Sequence, residues 1–331
     1  MRAIVIREPG DETVLDVGEI EPPELGATDV RIGIHTTAVN RADLLQRQGL
    51  YPPPPGVTAV LGLECAGEIL ETGPEVDATG HLAVGRRVMA LLAGGGYAEQ
   101  AVVHHGSVLP IPDDMSDEEA GAFPEVFLTA FSNLFMPDLG GIAAGETALI
   151  HGGGGGVGTA AIKLLTEARL GSIVTVGSDE KARRCAELGA TATINYESED
   201  FAARARELTD GRGVDVVLDH IGARYLASNL SALAPGGRLI EIGLMGGARG
   251  EINLAGLLVR RLAIIGSTLR GRSVEEKAEI VEAFQARFGD ALSRGRLRPV
   301  IHVSLPLEEV AEAHRLMQSS AHFGKIVLRV S

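Results

Sequence analysis

The sequence predicts an α/β protein in which a doubly wound parallel sheet fills the middle of the chain and a separate, irregular β-rich part precedes it. Three observations carry that expectation. Five consecutive glycines, residues 152–156, followed by Val157 and Gly158, lie between an apolar strand-like run (147–150) and a segment with apolar residues at helical spacing: Val157, Ala161, Leu164, Leu165 and Ala168. Downstream, strand-like and helix-like segments alternate, the rhythm of parallel strands joined by crossovers. Upstream, well over a hundred residues hold short strand-like runs bounded by Gly, Pro and Asp.

In chain order, the first part offers strands at 3–6, 30–35, 65–70, 87–91 and 99–103. After the glycines come a strand at 173–176, a helix at 181–188, a short strand at 193–195 and a helix at 201–208. A buried strand at 214–219, a helix at 224–233 and strands at 238–242 and 262–267 follow. With 147–150 these make six strands separated by crossovers. The tail holds a helix at 274–288, a strand near 300–303, a helix at 307–318 and a last strand at 325–329. It is expected to return to the first part, so that the middle is an insertion.

The glycines have a specific reading. Gly153-x-Gly155-x-x-Gly158, between a strand and a helix, is the dinucleotide-binding fingerprint of a Rossmann sheet. Glycine permits a tight turn and close backbone approach to a pyrophosphate, and Gly156 and Val157 open a helix whose unpaired N–H groups face negative charge. A merely flexible polyglycine loop would not need the flanking strand and helix.

Composition narrows the class. The 331 residues suffice for two domains, and 45% hydrophobic with 22% charged residues is the balance of a folded, soluble chain. No apolar stretch approaches the roughly 18 residues of a membrane helix. The N-terminus reads as a strand without a signal-peptide core, so a cytoplasmic location is expected. Two cysteines, Cys65 and Cys185, support neither a disulfide framework nor a cysteine-rich zinc site. A net charge of −14 argues against nucleic acid as the main partner.

Beyond composition, whole segments resemble a known family. The stretch Asn40-Arg41-Ala42-Asp43-Leu44-Leu45-Gln46-Arg47-Gln48-Gly49, then Tyr51 and four prolines, is similar to zinc-free quinone oxidoreductases of the medium-chain dehydrogenase/reductase superfamily, in the tumour-suppressor-inducible subgroup. So are Pro124-Glu125-x-x-Leu128-Thr129-Ala130-Phe131, Gly243-Leu244-Met245-Gly246-Gly247 and Gly324-Lys325-Ile326-Val327-Leu328. The resemblance runs almost end to end. It implies a GroES-like catalytic domain from residues 1–124 and 269–331, an NADP-binding Rossmann domain at 125–268, and an active site in the interdomain cleft.

Departures from zinc-dependent relatives bear on the chemistry. Those relatives resemble Gly62-x-Glu64-x-x-Gly67 but carry His where this chain has Leu63, and their first cysteine ligand falls at Asn40. No catalytic zinc is expected. Without a Lewis acid to stabilise an alkoxide, the acceptor must take hydride readily. A quinone does so, because its reduced form is a phenol with a pKa of roughly 10. Enals, enones and enoyl thioesters are the alternative acceptors.

Tyr51 is the candidate to hydrogen-bond the substrate oxygen or deliver a proton, with packing on a turn as its plain alternative. Asn40 is a second candidate, or else a strand-end cap. Asp43 is a third, or else an N-cap. Phe127, Leu244 and Met245 read as an apolar lining for a flat ring, or as core. His104, His105 and His151 read as structural. At the end of the second strand Gly177 stands where an NAD-preferring sheet carries an acid, leaving room for a 2′-phosphate that Ser178 and Lys181 would hold, although Asp179 and Glu180 lie beside them. NADPH is therefore favoured as cofactor. The resemblance adds Tyr196 beside that phosphate, Thr129, Gly243, Leu244, Ser267 and Thr268 at the nicotinamide end, Lys325 reaching back to the cofactor, and a homodimer through the 262–267 edge strand. A non-catalytic NADPH- or RNA-binding role is the competing class, and the acidic charge disfavours RNA.

Overall fold

The structure, a computed structural model, describes residues 1–330. A hairpin of β1 (Arg2–Ile6) and β2 (Leu15–Glu19) opens the chain. In β3 (Asp29–Ala38), Val30, Ile32 and Ile34 point inward in alternation with less buried residues, the period-two pattern that fixes a strand's buried face. Then come α1 (Arg41–Arg47), β4 (Glu64–Thr72), β5 (Arg87–Leu91), β6 (Gln100–His104), β7 (Val108–Pro110), α2 (Asp117–Gly121) and α3 (Pro124–Phe135). The chain divides into two compact units, Met1–Leu128 with Leu269 onward, and Thr129–Thr268. The first division falls inside α3, after Leu128, where the sequence placed it after residue 124.

The second unit is one parallel sheet. Its strands are β8 (Thr147–Ile150), β9 (Gly171–Val176), β10 (Ala192–Asn195), β11 (Val214–Asp219), β12 (Leu233–Glu241) and β13 (Ala263–Gly266), joined by α4 (Gly156–Glu167), α5 (Asp179–Glu187), α6 (Phe201–Glu207), α7 (Leu226–Ala232) and α8 (Leu254–Arg260). The spatial order is β10-β9-β8-β11-β12-β13, which counted from β8 is the doubly wound 3-2-1-4-5-6. Leu149, Ile173, Val217 and Leu239, one from each of four neighbouring strands, share one core cluster. Most boundaries lie within two residues of expectation, and a larger departure falls at β12. Strand β12 begins at Leu233 rather than 238, because an irregular stretch with Gly236 at φ +80° is carried inside it. Helix α7 is correspondingly shorter than 224–233. Helix α8 was not legible as an inward-facing helix: Leu254, Leu258 and Val259 are all exposed.

The tail contributes α9 (Val274–Ser293), β14 (Ile301–Pro306), α10 (Val310–Ser319) and β15 (Lys325–Arg329). Ser273 and Glu276 form a capping box at the start of α9. Strand β15 pairs with β3 antiparallel and with β14 parallel. The tail thus completes a sheet of order β14-β15-β3-β4-β5-β7, with β6 also on β3. Ile32, Ile34, Leu44, Ile69, Tyr97, Ile326 and Leu328 belong to its core. Among the described residues no helix is long and apolar enough to cross a membrane.

Candidate functional site

In the second unit, β8 and β11 are neighbours where the winding reverses, the place such sheets bind ligands. The glycines there are needed for different reasons. Gly152 has φ +64°, a conformation that suits glycine. A Cβ on Gly153 would lie 2.7 Å from the Val174 Cβ, and one on Gly158 would lie 2.3 Å from the Gly152 carbonyl oxygen. Those two glycines let the turn pack on β9 and on itself. Gly155 differs, since a Cβ there would meet only the Gly152 oxygen, at 3.4 Å. It is the N-cap of α4, and the first intrahelical bond runs from Thr159 N to Gly155 O. The N–H groups of Gly156, Val157 and Gly158 therefore precede the helical ladder at an open turn, and this cradle fits a pyrophosphate.

At the end of β9, Ser178 caps α5, its Oγ accepting from Lys181 N at 3.3 Å. Burial lowers the Lys181 pKa. Gly177 has a cause that the sequence did not reveal: a Cβ there would lie 2.5 Å from the Tyr196 hydroxyl. Tyr196 thus covers Gly177, which brings it together with Ser178. Asp179, the acid that threatened a phosphate, accepts from Asn195 Nδ2 at 2.7 Å.

At the far end of the same sheet edge, Gly243 opens a turn tied to the loop after β11. Met245 N donates to His220 O at 3.1 Å and Gly246 N to Ile221 O at 2.6 Å. Leu244 and Met245 are 58% and 52% exposed, available as an apolar surface. Ser267 N donates to Glu241 O at 2.9 Å, with Thr268 next to it. The Thr129 carbonyl accepts from Asn133 Nδ2 at 2.8 Å. His151 is buried between Thr175 and Asn229, and burial pushes its pKa down to about 4. His104 accepts from Gly106 N.

In the first unit, Asn40 is the N-cap of α1, and its side chain faces a buried ring. Glu64 Oε1 accepts from Asn40 Nδ2 at 2.9 Å and from Lys325 Nζ at 2.8 Å. Glu64 Oε2 accepts from Glu125 N at 2.9 Å. Lys325 Nζ also donates to Asn40 Oδ1 at 2.6 Å and to Val39 O. Glu64 and Lys325 are 0% and 2% exposed as side chains, so the ammonium expected to reach the cofactor is committed to Glu64 and Asn40. Asp43, expected near substrate, is also buried. Its carboxylate accepts from Asn40 N at 2.8 Å, Gly62 N at 3.1 Å and the Tyr97 hydroxyl at 3.2 Å. Burial pushes its pKa up to about 6 even so. Phe127, expected in an acceptor lining, is fully buried and stacked 3.9 Å from Phe123, with Phe284 edge-on to that pair.

Tyr51 is partly exposed, and the Arg270 guanidinium lies 5.3 Å over its ring. Arg270 is itself pinned, donating to Gln46 Oε1 at 2.6 Å and Ala93 O at 2.7 Å, while its carbonyl accepts from Lys277 Nζ at 2.9 Å. Burial raises the Tyr51 pKa, and Arg270 opposes that rise. Glu125 joins this charge cluster. Burial first, then the neighbouring Glu64, pushes its carboxyl up to about 8, so it is largely protonated at neutral pH. Sequence reasoning missed Arg270, Lys277 and the Glu64 ring. Nothing in local pattern ties residue 270 to residue 51, and an isolated Glu carries no sign that Lys325 will pair with it. Among the described residues no three metal-binding side chains gather.

A doubly wound sheet with an open glycine turn, joined to a β-rich unit built around a buried ion pair, defines a dinucleotide-binding oxidoreductase of the two-domain kind. Residues 26–113 match the alcohol dehydrogenase GroES-like domain and residues 156–286 the zinc-binding dehydrogenase family. The chain is 32% identical to a quinone oxidoreductase of Pseudomonas aeruginosa, with 96% of each covered. It is 33% identical, over 98% of its length, to part of a phenolphthiocerol/phthiocerol polyketide synthase polypeptide of Mycobacterium tuberculosis, of which it spans 14%. Among solved structures, an NAD-dependent alcohol dehydrogenase superposes with TM-score 0.85 at 34% identity. The Escherichia coli quinone oxidoreductase complexed with NADPH superposes with TM-score 0.84 at 27% identity. This chain is covered in full in both comparisons, as are 100% of the first structure and 98% of the second. The chain belongs to the quinone oxidoreductases of the medium-chain dehydrogenase/reductase superfamily.

Two substitutions separate the glycine roles. Gly155→Ala has φ −80° and free space, so its Tm should move by no more than about 2 °C, while calorimetry should show NADPH affinity reduced at least about ten-fold. Gly158→Ala should instead lower Tm, because its Cβ meets backbone. Equal affinity for NADPH in Gly155→Ala and wild type would refute the cradle. In the first unit, Lys325→Met leaves Glu64 buried and unpaired, and chemical denaturation should register a loss of about 3–5 kcal/mol. Adding Glu64→Gln should restore part of it.

Proposed function

We propose that the chain is an NADPH-dependent reductase that passes hydride to a quinone without a metal. The observation that carries this reading is the Glu64 ring. Where zinc relatives place one ligand, Asn40 is bonded on both sides of its amide, and where they place another, Leu63 is apolar and 1% exposed. Neither side chain can act as the thiolate or imidazole that such a site needs. The acceptor must then carry its own developing charge, as a quinone does.

Bound NADPH would supply hydride from its nicotinamide. The protein's part is to hold and orient. The 152–158 turn would bind the pyrophosphate, and Ser178, Lys181 and Tyr196 would hold the 2′-phosphate with Asp179 drawn aside. The 243–247 turn with Ser267 and Thr268 would hold the nicotinamide end, and Leu244 and Met245 would offer an apolar surface to a flat acceptor. Tyr51 would hydrogen-bond the acceptor oxygen and give it a proton, with Arg270 fixing the ring. Glu125, whose carboxyl burial raises to about 8, would restore that proton. The full-length relatives that share the fold support the quinone assignment. Conjugated alkenes are the second acceptor class, because their carbonyl also spreads the developing charge. We also propose a cytoplasmic homodimer through β13, which ends the sheet with Ile264 exposed.

The test follows NADPH and NADH oxidation against ortho-quinones, para-quinones, enals and an enoyl thioester. Quinone turnover with a KM for NADPH at least about ten-fold below that for NADH is expected. No quinone turnover would remove the leading function, and equal KM values would remove the Ser178 and Lys181 assignment. Tyr51→Phe should slow quinone reduction and abolish alkene reduction, where a proton must reach carbon. For assembly, Ile264→Lys should convert a dimer to a monomer in sedimentation; a monomeric wild type would rule the dimer out.

A further inference from the structure

Beneath the cofactor turn of the second unit runs a buried polar chain that the proposed chemistry does not use. It crosses four neighbouring strands, β9, β8, β11 and β12, at their carboxyl ends. Thr175 meets His151 Nδ1 at 2.9 Å, His151 Nε2 meets Asn229 Oδ1 at 2.7 Å, and Asn229 Nδ2 donates to Asp219 Oδ2 at 2.9 Å. The Asn229 amide fixes the direction of the chain. Its nitrogen faces a carboxylate, so its oxygen accepts the His151 Nε2 proton, and His151 Nδ1 is left to accept from the Thr175 hydroxyl. Every proton in the chain has one assigned place until it reaches the last pair.

That pair is Asp219 and Glu241, direct partners in the register of β11 and β12. In-register neighbours on parallel strands point to the same face about 5 Å apart, and two carboxyls that close do not both ionise readily, so the pair holds a proton. The second Glu241 oxygen, Oε2, is buried and has no hydrogen-bond partner. Asp219 already accepts three hydrogen bonds and keeps one of a carboxylate's roughly four acceptor sites for Glu241: Oδ1 takes Ile221 N at 2.7 Å, and Oδ2 takes Gly222 N at 3.0 Å besides Asn229. The proton therefore resides on Glu241.

The loop held by Asp219 carries the nicotinamide-end turn. His220 O accepts from Met245 N, Ile221 O from Gly246 N, and Ala223 N donates to Gly247 O at 3.0 Å. We propose that Glu241 is a positioning residue for the cofactor: the proton it shares with Asp219 holds the 220–223 loop, and through it the 243–247 turn, in the form that grips the nicotinamide end. This inference rests on the reading of the second unit as the cofactor unit. Loss of the proton sets two carboxylates side by side under that loop, and their repulsion loosens the Asp219 bonds to Ile221 and Gly222.

Among the described residues Asp219 is the one charged group acting on Glu241, and Tyr225, at the head of α7, faces Asp219 as a phenol whose pKa burial raises. On β13, Gly266 and Ser267 bring no charge. From α7 comes the neutral Asn229, and from β8 the neutral His151. His220 turns its ring toward Gly152. Burial and Asp219 together push the Glu241 carboxyl well above the carboxylate range. The raised folded-state pKa means that the native state holds this proton where the unfolded chain has released it. Its stabilisation is complete at acid pH and fades as pH rises through that raised value.

Calorimetric titration with NADPH from about pH 6.5 to about pH 9, on wild type and Glu241→Gln, tests the proposal. The amide can donate to Asp219 at every pH. Wild-type affinity should fall by about ten-fold across the range more than that of Glu241→Gln. The 2′-phosphate titrates alike in both proteins and cancels. In parallel, the Tm of wild type relative to Glu241→Gln should decline as pH rises, a readout that needs no cofactor. Identical pH profiles for affinity in the two proteins would overturn the proposal even if both bind NADPH. Failure of either protein to bind NADPH at any pH would instead remove the cofactor reading on which it stands.

Discussion

The carboxylate of Glu64 is the point on which the first unit turns. Four separate stretches of chain meet there: the head of β4, the Asn40 cap after β3, the start of β15, and the N-terminus of α3. A charge at 0% exposure is tolerable only when paired and fully hydrogen-bonded. Asn40, Lys325 and the Glu125 N–H supply those donors together. A buried ion pair contributes little net stability, but it penalises every arrangement that leaves a member alone. It therefore acts as a register pin that binds the returning tail to the N-terminal sheet.

The ring also shapes the chemistry around it. The Glu64 carboxylate next to Glu125 raises the pKa of that carboxyl, with the Lys325 ammonium opposing it, and Asn40 passes a second hydrogen bond, from its backbone N–H, to Asp43. Asp43 in turn joins Tyr97, His314 and Arg47 in a buried polar line, with Arg47 donating to His314 Nδ1 at 3.3 Å and His314 Nε2 meeting Tyr97 at 3.3 Å. Residues that read as possible catalysts in sequence, Asn40 and Asp43, are thus the scaffold of the unit. Tyr51, by contrast, stays partly exposed, with Arg270 over its ring. In the second unit the division of labour is similar: Gly153 and Gly158 allow packing, and Gly155 leaves the space.

Much of this was legible in the sequence because it follows local rules. The glycine fingerprint, the six strands and the crossovers announce themselves through periodicity and turn chemistry, and so did the structural character of His151. What stayed hidden depends on contacts between distant positions. Lys325 read as a cofactor ligand because nothing near residue 325 shows Glu64 beside it. Phe127 read as pocket lining because an aromatic on a helix looks the same whether it stacks on Phe123 or meets a ligand. Gly177 read as room for a phosphate, although Tyr196 already requires it. Glu241 ends a strand with an acid at an in-register position opposite another acid, and only the parallel pairing of β11 with β12 makes the two neighbours.

The central claim is that a buried carboxylate–lysine–amide ring stands where relatives hold a metal, and that quinone reduction needs no metal in this chain. The most direct measurement is NADPH-dependent quinone turnover by protein stripped of bound metal with a strong chelator, alongside its zinc content and the effect of adding zinc back. The account predicts unchanged turnover after stripping and no gain on readdition. Turnover that disappears with the metal and returns in proportion to added zinc would contradict it.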